Sequence, residues 1–466
     1  MILEQYYLGC LSQASYLIGD ERTGVAVVVD PRRDVDDYVA DAARLGLRIE
    51  HVVLTHFHAD FVAGHLELHQ RTGARIHLGP GAHADYEFHA FADGEILEFG
   101  DVRLRILHTP GHTPESISIL VYDLAAEPTR PRAVLTGDTL FVGDVGRPDL
   151  LASVGVTADT LARMLYRSLH EKLLPLPDDT LLFPGHGAGS ACGKHLGAET
   201  VSTIGEQRRS NYALQPMDEA EFVGVVTADQ PEAPAYFARD AELNRRRRTL
   251  LEETLRLELR PLSLDAALTA QADGAELLDT RDPAEFARGH LAGSLHVGLG
   301  GRFATWAGTL IPLDRQIVVV ASPGREREAA IRLGRVGFER VLGYLDRGIE
   351  AARGEVPLIE RPRRIPPAEV STLTVAGVPL IDVRSSLEHA QEAIPGSLNI
   401  PLPQLTDRLR EIPAGQVLVY CRSGERSSTA ASLLERAGHI DVLDLVGGFT
   451  AWKSAQRQEP AQRTFS

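Results

Sequence analysis

The sequence predicts a multidomain α/β protein, and three observations lead to that prediction. Its 466 residues exceed the content of one domain, which averages about 150 residues. Over residues 1–245, short β-branched runs alternate with stretches of helical pattern. Beyond residue 262, a unit of about 90 residues occurs twice. We therefore expect one α/β domain, residues 1–245, followed by two related domains, residues 262–355 and 366–456.

Composition limits the classes of partner. Hydrophobic residues make up 44% of the chain and charged residues 24%, which suits globular cores. A net charge of −16 would repel nucleic acids and anionic membranes, so we expect neither as a partner. Four consecutive arginines at 245–248 are followed closely by Glu252 and Glu253. We interpret this run as the solvated face of a linker helix.

The N-terminal segment, the apolar runs and the cysteines are the features that bear on the compartment. The N-terminus has no basic region before an apolar core, and no run of about 18 apolar residues occurs. The three cysteines are Cys10, Cys192 and Cys421. A sparse, odd set of this kind indicates a reducing compartment without a disulfide framework. We predict a cytoplasmic location.

Polar loops follow strand-like runs in the first domain. Strands are predicted at 25–29, 51–54, 133–135 and 180–183, and loops at strand ends have rigid roots. The loops carry the patterns HxHxD, PGH, TGD and PGH. Their candidate ligands are His56, His58, Asp60, His112, Asp138 and His186. Six such residues in these contexts indicate a metal site.

These motifs resemble the metallo-β-lactamase superfamily, an αββα sandwich with metals at the strand ends. In that superfamily a histidine follows the HxHxD aspartate and helps to bind a second metal. Here that position is Phe61, which has no lone pair to donate. We therefore predict a single metal, while a packed Phe61 beside two bound metals remains the alternative.

The segment TGDTLFVGDVGRPD, from Thr136 to Asp149, resembles the persulfide dioxygenases of sulfide oxidation. The resemblance implies one Fe(II) per chain, bound by His56, His112 and Asp138. Such a facial triad leaves adjacent positions open for substrate and oxygen. Three further residues, His58, Asp60 and His186, would orient the ligands by hydrogen bonds.

Two other residues near these motifs have open roles. Arg147 could bind an anionic substrate, or it could be an ordinary arginine paired with Asp144 or Asp149. Cys192 lies in the glycine-containing segment GAGSACGK. Its thiol could act near the metal, or it could be a plain buried cysteine.

The two C-terminal copies share their motifs. LDTR at Leu278 matches IDVR at Ile381, and LAGSL at Leu291 matches IPGSL at Ile394, both at an offset of 103 residues. IVVV at Ile317 matches VLVY at Val417 at an offset of 100. The segment ERPRRIPP, residues 360–367, predicts a linker because its prolines suit neither a helix nor a central strand.

Cys421 follows the second of these strands in the sequence CRSGERS, and a helix with an apolar pattern comes next. Backbone N–H groups at such a turn, with Arg426, would stabilise a nucleophilic thiolate. We predict that Cys421 and Arg426 are catalytic. Contacts to substrate are expected from Arg422, Ser423, Gly424 and Glu425.

The last domain resembles the rhodaneses through IDVR, IPGSLNIP, the Cys421 loop and GGFTAW. The alternative, a phosphatase of related fold, has its arginine one residue later, where this chain has Ser427. In the earlier copy Ala321 stands at the Cys421 position and Glu326 at the Arg426 position. That copy is therefore expected to be inactive, as a spacer, docking surface or assembly element.

The combined order resembles the bacterial fused persulfide dioxygenase-sulfurtransferases. The resemblance implies oxidation of a low-molecular-weight thiol persulfide by O2 to sulfite, and then transfer of sulfur to sulfite, giving thiosulfate. Glutathione, coenzyme A and cysteine are all compatible carriers, and a homo-oligomer is expected. One alternative is a zinc thioesterase of the hydroxyacylglutathione hydrolase type fused to a rhodanese. Another is a sensor that binds without turnover.

Overall fold

A computed structural model describes residues 1–150, 155–228, 230 and 233–458. These residues form two compact units. The first comprises residues 1–251 with 334–337, and the second comprises the remaining described residues from 252 onward. Both units combine helices with β-sheets, which confirms the predicted α/β multidomain class.

The first unit is a sandwich of two β-sheets with helices on its outer faces. Its strands are β1 (Ile2–Leu8), β2 (Gln13–Asp20), β3 (Val25–Val29), β4 (Arg48–Val53), β5 (Arg75–Leu78), β6 (His89–Ala90), β7 (Ile96–Phe99), β8 (Val102–His108), β9 (Ile117–Asp123), β10 (Ala133–Gly137), β11 (Leu181–Pro184) and β12 (Ser202–Thr203). Its helices are α1 (Asp36–Arg44), α2 (His65–Thr72), α3 (Ala158–Arg167), α4 (Ile204–Ser210), α5 (Glu219–Thr227) and α6 (Phe237–Leu243). Within the described residues, one sheet has the order β1-β2-β3-β4-β5-β6 and the other β12-β11-β10-β9-β8-β7.

Alternation of side chains along the strands builds the core of this unit. Ile119 and Val121 of β9 face the other sheet and pack in one cluster with Val27 and Val53. Leu120, between them, joins a second cluster that contains Leu165 of α3. Successive side chains of a strand point to opposite faces, so β9 is buried on both faces. The sandwich therefore holds the ends of its strands, and the loops that follow them, in fixed positions.

The predicted linker helix differs from the structure. Helix α7 spans Leu251–Glu258, so the four arginines at 245–248 precede it. Arg248 is also not solvated, because its guanidinium pairs with the buried carboxylate of Glu67. The interpretation of the run as a solvated helix face is wrong, since a tertiary ion pair decides the position of Arg248. Among the helices of the described residues, none has the length and apolarity needed to cross a membrane.

The second unit contains the two copies, each built on a parallel sheet. The first copy has β13 (Pro261–Leu262), β14 (Glu276–Asp279), β15 (Leu295–His296), β16 (Ile317–Val320) and β17 (Val341–Leu345), with α8 (Leu264–Ala272), α9 (Pro283–Arg288), α10 (Phe303–Leu310) and α11 (Glu326–Gly334). The second has β18 (Arg363–Ile365), β19 (Leu380–Asp382), β20 (Leu398–Asn399), β21 (Val417–Tyr420) and β22 (Val442–Leu445), with α12 (Val370–Val375), α13 (Ser386–Gln391), α14 (Glu425–Arg436) and α15 (Gly448–Gln458).

The sheet orders of the two copies correspond strand by strand. Over the described residues they are β13-β17-β16-β14-β15 and β18-β22-β21-β19-β20. Strand β18 lies inside the segment predicted as a linker, ahead of the expected domain start at 366. It is an edge strand, and prolines flank it without interrupting it, which is where a sheet tolerates them.

Candidate functional site

Three side chains from separate loops converge at one end of the sandwich. His56 follows β4, His112 lies between β8 and β9, and Asp138 follows β10. Asp138 Oδ2 is 3.8 Å from His56 Nε2 and 3.6 Å from His112 Nε2. All three residues are buried, and one donor atom from each lies within 4.8 Å of the others. Carboxylate and imidazole donors at such distances can bind a metal ion.

Hydrogen bonds on the far side of each ring aim the donors inward. The His112 Nδ1–H donates to the carbonyl oxygen of Arg147, at 2.9 Å. His56 Nδ1 lies 3.0 Å from the Thr55 hydroxyl, which itself donates to Asp30. Both Nε2 atoms are thereby left with a lone pair for a metal. Within the described residues, His56 Nε2 and Asp138 Oδ2 have no hydrogen-bond partner, which is what a metal site requires of its donors.

Burial and charge favour the metal-binding forms of all three side chains. Burial, assisted by the neighbouring His58, lowers the pKa of His56 well below its ordinary value. Burial likewise lowers the pKa of His112. Burial alone would raise the pKa of Asp138, but His186 and His56 hold that pKa far below its ordinary value. The cluster therefore offers two neutral imidazoles and one carboxylate.

His58, Asp60 and His186 lie around this triad. His186 bridges two carboxylates, with Nδ1 2.8 Å from Asp138 Oδ1 and Nε2 2.8 Å from Asp60 Oδ2. Burial would lower the pKa of His186, but Asp138 and Asp60 raise it well above its ordinary value. His58 Nε2 donates to Asp30 Oδ1 at 2.9 Å. Of these three residues, His186 bonds the proposed ligand Asp138 directly, whereas His58 bonds Asp30 and Asp60 bonds His186.

Phe61 fills the space beside this network. Its side chain is fully buried, and its ring centroid lies 4.4 Å from that of His58. Asp60, His186 and Cys192 nevertheless form a second group whose donor atoms lie within 4.8 Å of one another. Burial, with the nearby Asp60, raises the pKa of the Cys192 thiol well above its ordinary value. Cys192 thus lies at the site as a buried side chain.

Arg147 is buried and already paired. Its guanidinium forms two hydrogen bonds with Asp149, at 2.7 and 2.8 Å, and a third with the carbonyl oxygen of Ala191. Its own carbonyl oxygen orients His112. The backbone of Arg147 therefore contacts the triad through His112, while its side chain is held by Asp149.

Two residues that were not among the predicted site residues hold the HxHxD loop. Asp30 accepts hydrogen bonds from the Thr55 backbone and hydroxyl and from His58. Asn244 donates to the carbonyl oxygens of His58 and Phe61 and accepts from the Ala63 N–H. Asp30 directly follows the predicted strand at 25–29, so its position could have indicated it. Asn244 is about 180 residues from the loop and carries no local signal.

Cys421 lies in the second unit, between β21 and α14, and is fully buried. The Gly424 N–H points at its sulfur, at 3.1 Å, and Gly424 has the left-handed φ of +98° that this turn needs. The Ser427 hydroxyl is 3.6 Å from the sulfur and donates to Asp444. The Cys421 sulfur is therefore in contact with one backbone N–H and one hydroxyl group.

Arg426 is paired with Glu388 by two hydrogen bonds, at 2.7 and 2.9 Å. Burial would raise the pKa of Glu388, but Arg426 lowers it to about 2. The sequence analysis missed Glu388, because the pair joins residues 38 positions apart. Of the other predicted contacts, Arg422, Ser423 and Glu425 are exposed, and Gly424 is buried beside the sulfur.

The comparisons with known proteins match both the part of the chain that contains the triad and the part that contains Cys421. Residues 8–186 match the Metallo-beta-lactamase superfamily, and residues 263–355 and 367–455 each match the Rhodanese-like domain. Persulfide dioxygenase ETHE1, mitochondrial, of Homo sapiens is 31% identical over 48% of this chain and 80% of that protein. The chain belongs to the metallo-beta-lactamase superfamily. This superfamily member also carries two rhodanese-like domains, which confirms the predicted fusion.

Other similar proteins match different shares of this chain. A solved metallo-beta-lactamase from Staphylococcus aureus subsp. aureus COL is 32% identical, with a TM-score of 0.66, over 74% of this chain and 98% of that one. A Beta-lactamase hydrolase-like protein of Xylella fastidiosa is 29% identical over 48% of this chain and 54% of its own length. The chain thus spans about half of that relative. Hydroxyacylglutathione hydrolase GloC of Haemophilus influenzae is 28% identical over 46% of this chain and 98% of its own.

Proposed function

We propose that this protein oxidises the terminal sulfur of a low-molecular-weight thiol persulfide to sulfite at one Fe(II), and then converts sulfite to thiosulfate at Cys421. The observation that carries the proposal is the buried triad of His56, His112 and Asp138, with two donor atoms unpartnered among the described residues. Similarity to a persulfide dioxygenase over most of that relative's length supports it. The presence of the Cys421 loop in the same chain supports the second step.

The residues of the first site fit a ferrous ion. His56 and His112 would supply neutral nitrogens and Asp138 a carboxylate oxygen, a donor set that leaves positions free for other ligands. When bound, iron supplies the redox chemistry that couples dioxygen to sulfur. One persulfide, one dioxygen and one water give one thiol, one sulfite and two protons. His186 holds a proton between Asp138 and Asp60 and so keeps Asp138 Oδ2 directed at the triad.

A cavity of about 490 Å³ beside His112 is suited to the carrier thiol. Phe57, Phe237 and Ala238 give it apolar walls. Arg245 supplies positive charge, and Arg246 lines it as an ion pair with Glu242. The Arg245 guanidinium lies over the Phe57 ring, 5.0 Å from its centroid. An organic persulfide with anionic groups matches both parts of this lining.

The second step uses the Cys421 sulfur. The thiolate attacks the terminal sulfur of a persulfide, which releases the carrier thiol and leaves a persulfide on Cys421. Sulfite then attacks this outer sulfur, the sulfur–sulfur bond to Cys421 breaks, and thiosulfate leaves while the thiolate is regenerated. The Gly424 N–H is placed to stabilise negative charge on the Cys421 sulfur in both stages.

Metal content and oxygen uptake test the first step. Protein purified without oxygen should contain about one iron per chain and should take up oxygen when given a persulfide. Asp138→Ala should lose both properties, because two histidines alone bind iron weakly. Asp179→Ala, at an exposed carboxylate paired with Arg130, is the matched control and should retain them. Normal iron content and oxygen uptake in Asp138→Ala would show that another carboxylate serves as the ligand.

A zinc thioester hydrolase is the second candidate, and one observation favours it. Asp60, His186 and Cys192 could bind a second, thiophilic ion despite Phe61. Two zinc ions per chain and cleavage of a thioester, without oxygen uptake, would support this candidate against the dioxygenase. Cys192→Ser should then lower the zinc content toward one. Metal binding with neither activity would instead indicate a sensor.

A further inference from the structure

The first rhodanese-like copy retains a cavity at the loop that has lost its cysteine. The cavity has a volume of about 460 Å³ and lies over Ala321, Ser322 and Pro323. Four arginines line it together with two glutamates, a formal excess of two positive charges on a chain of net charge −16. The arginines are Arg281, Arg288, Arg347 and Arg353, and the glutamates are Glu285 and Glu350.

The backbone around this cavity keeps the form of the active loop. Gly324, with φ +86°, corresponds to Gly424, with φ +98°. Gly348 and Gly448 both have φ +57°, and each packs against the carbonyl oxygen of the residue at the nucleophile position. In Gly348 a Cβ would come within 2.5 Å of that oxygen of Ala321. Loss of the nucleophile has thus left the loop in place, with alanine where sulfur would be.

Arg347 is the residue in this cavity that the fold alone does not explain. It has φ +58° and ψ +15°, a left-handed conformation that residues with a Cβ disfavour. The corresponding residue of the active copy is Gly447, with φ +70°. Arg347 is exposed, and its guanidinium has no hydrogen bond or ion pair within the part of the chain that the structure describes. A strained arginine with free donors at a cavity wall indicates a ligand.

The other charged groups of the cavity are at least partly satisfied. Arg281 is paired with Asp279, and Arg353 with Glu350. Arg288 donates from Nε to the carbonyl oxygen of Ala284. Glu285 accepts a hydrogen bond from Ser322, and its negative charge would repel a bound anion. Arg347 and the terminal nitrogens of Arg288 therefore provide the donors, and Glu326 is not among the described residues that line the cavity.

We propose that this cavity is a non-covalent binding site for a small sulfur oxyanion, with Arg347 as its principal donor. A divalent oxyanion would offer several acceptor atoms to the guanidinium groups and would neutralise the excess positive charge. Without a thiol at position 321, the bound anion cannot react there. The choice of a sulfur oxyanion rests on the proposed function, but equilibrium binding does not require turnover at either site.

Calorimetric titration of the full chain with thiosulfate tests the proposal. Cys421→Ser provides a background without sulfur transfer, and sodium chloride at equal ionic strength serves as the blank. Adding Arg347→Gly should weaken the binding component at this cavity about tenfold or more. The melting temperature should not fall, since glycine suits the left-handed backbone at position 347. Binding is measured whether or not the protein oxidises persulfides, so the two proposals fail separately.

Two further variants complete the test. Glu285→Gln removes the opposing carboxylate and should tighten thiosulfate binding severalfold. Arg340→Ala removes an exposed arginine whose guanidinium donates to the Asp314 carbonyl oxygen, outside the cavity, and should leave binding unchanged. An unchanged affinity in Arg347→Gly would overturn the proposal. Equal losses in Arg347→Gly and Arg340→Ala would also overturn it, because they would assign binding to overall charge.

Discussion

At the scale of single residues, Phe61 lies beside the candidate metal site. It stands beside Asp60, whose carboxylate already serves His186, and its fully buried ring fills the space next to His58. A phenyl ring donates no electron pair and excludes water from the place where a second ion would need ligands. Asn244 fixes the backbone of the same loop through the carbonyl oxygens of His58 and Phe61. The loop is therefore held by hydrogen bonds from Asn244, with the Phe61 ring packed beside His58.

Phe61→His should raise the affinity for a second metal ion. The new imidazole would add a nitrogen donor to the group of Asp60, His186 and Cys192. Metal content after dialysis should rise from about one ion per chain toward two, without a required gain in turnover. Phe61→Leu removes the ring and adds no donor, so its metal content should stay near that of the parent. Two tightly bound ions in the parent protein would end the single-metal prediction.

Glu388 should make the last domain sensitive to acid. Its pKa falls from 4.5 to about 2 because Arg426 offsets the effect of burial. A depressed carboxyl pKa contributes stability above the unfolded value, and this stability is lost as the pH falls from about 4.5 toward 2. The melting temperature of Glu388→Gln should therefore be below that of the parent at about pH 6, and the difference should shrink by about pH 3.

Glu411→Gln is the control for this pH dependence. Glu411 forms an exposed pair with Arg408, and exposed pairs contribute little to stability. Its melting temperature should follow that of the parent at every pH. A constant difference between Glu388→Gln and the parent from about pH 6 to about pH 3 would show that the carboxylate charge is not what stabilises the domain.

At the scale of elements, the first rhodanese-like copy contacts the helix that follows Cys421. His296 Nδ1 lies 3.0 Å from the Ser428 hydroxyl, and the His296 N–H donates to Ser432, both on α14. Glu276 pairs with Arg436 at the end of the same helix. These contacts indicate a further role, in addition to the expected roles of spacer, docking surface and assembly element. Through these contacts the first copy holds α14 at three of its residues.

Restoring the cysteine alone should not restore transfer in that copy. In Ala321→Cys the new sulfur would lack a counterpart of Arg426, since Glu326 occupies that position. Glu285 stands at the position of Glu388, at the offset of 103 residues. It would lack the arginine partner that Glu388 has in Arg426. In a Cys421→Ser background, thiosulfate formation from persulfide and sulfite should stay at the level of the background protein. Transfer near the parental rate would show that the charge reversal has no effect.

The part of the fold and of the candidate sites that could be predicted is the part that local sequence motifs carry. His56, His112, Asp138 and Cys421 each follow a strand-like run in a short, recognisable context, so a single stretch of sequence identifies each of them. Asn244 and Glu388 lie far along the chain from the groups they hold, and their roles arise only when the chain folds. The edge strand β18 was not predicted, because the prolines on both sides of it are typical of a linker. Long-range hydrogen bonds were thus the information that the sequence patterns lacked.

At the scale of the whole molecule, the two proposed reactions are assigned to different units. All the proposed iron ligands lie in the first unit, and Cys421 with its loop lies in the second. Sulfite is the product of the proposed first reaction and the acceptor in the second. If each unit supplies a complete site, the two steps can be separated by mutation of one residue.

Cys421→Ser should leave persulfide-dependent oxygen uptake largely intact and should stop thiosulfate formation. A serine hydroxyl is a far poorer nucleophile than a thiolate and cannot carry a transferable sulfur at neutral pH. Sulfite should then accumulate in place of thiosulfate, in proportion to the oxygen consumed. One reaction in which oxygen, sulfite and thiosulfate are all measured decides the matter. An unchanged yield of thiosulfate would place transfer elsewhere, with Cys192 beside the metal cluster as the first residue to test, and lost oxygen uptake would show that the first reaction depends on the second.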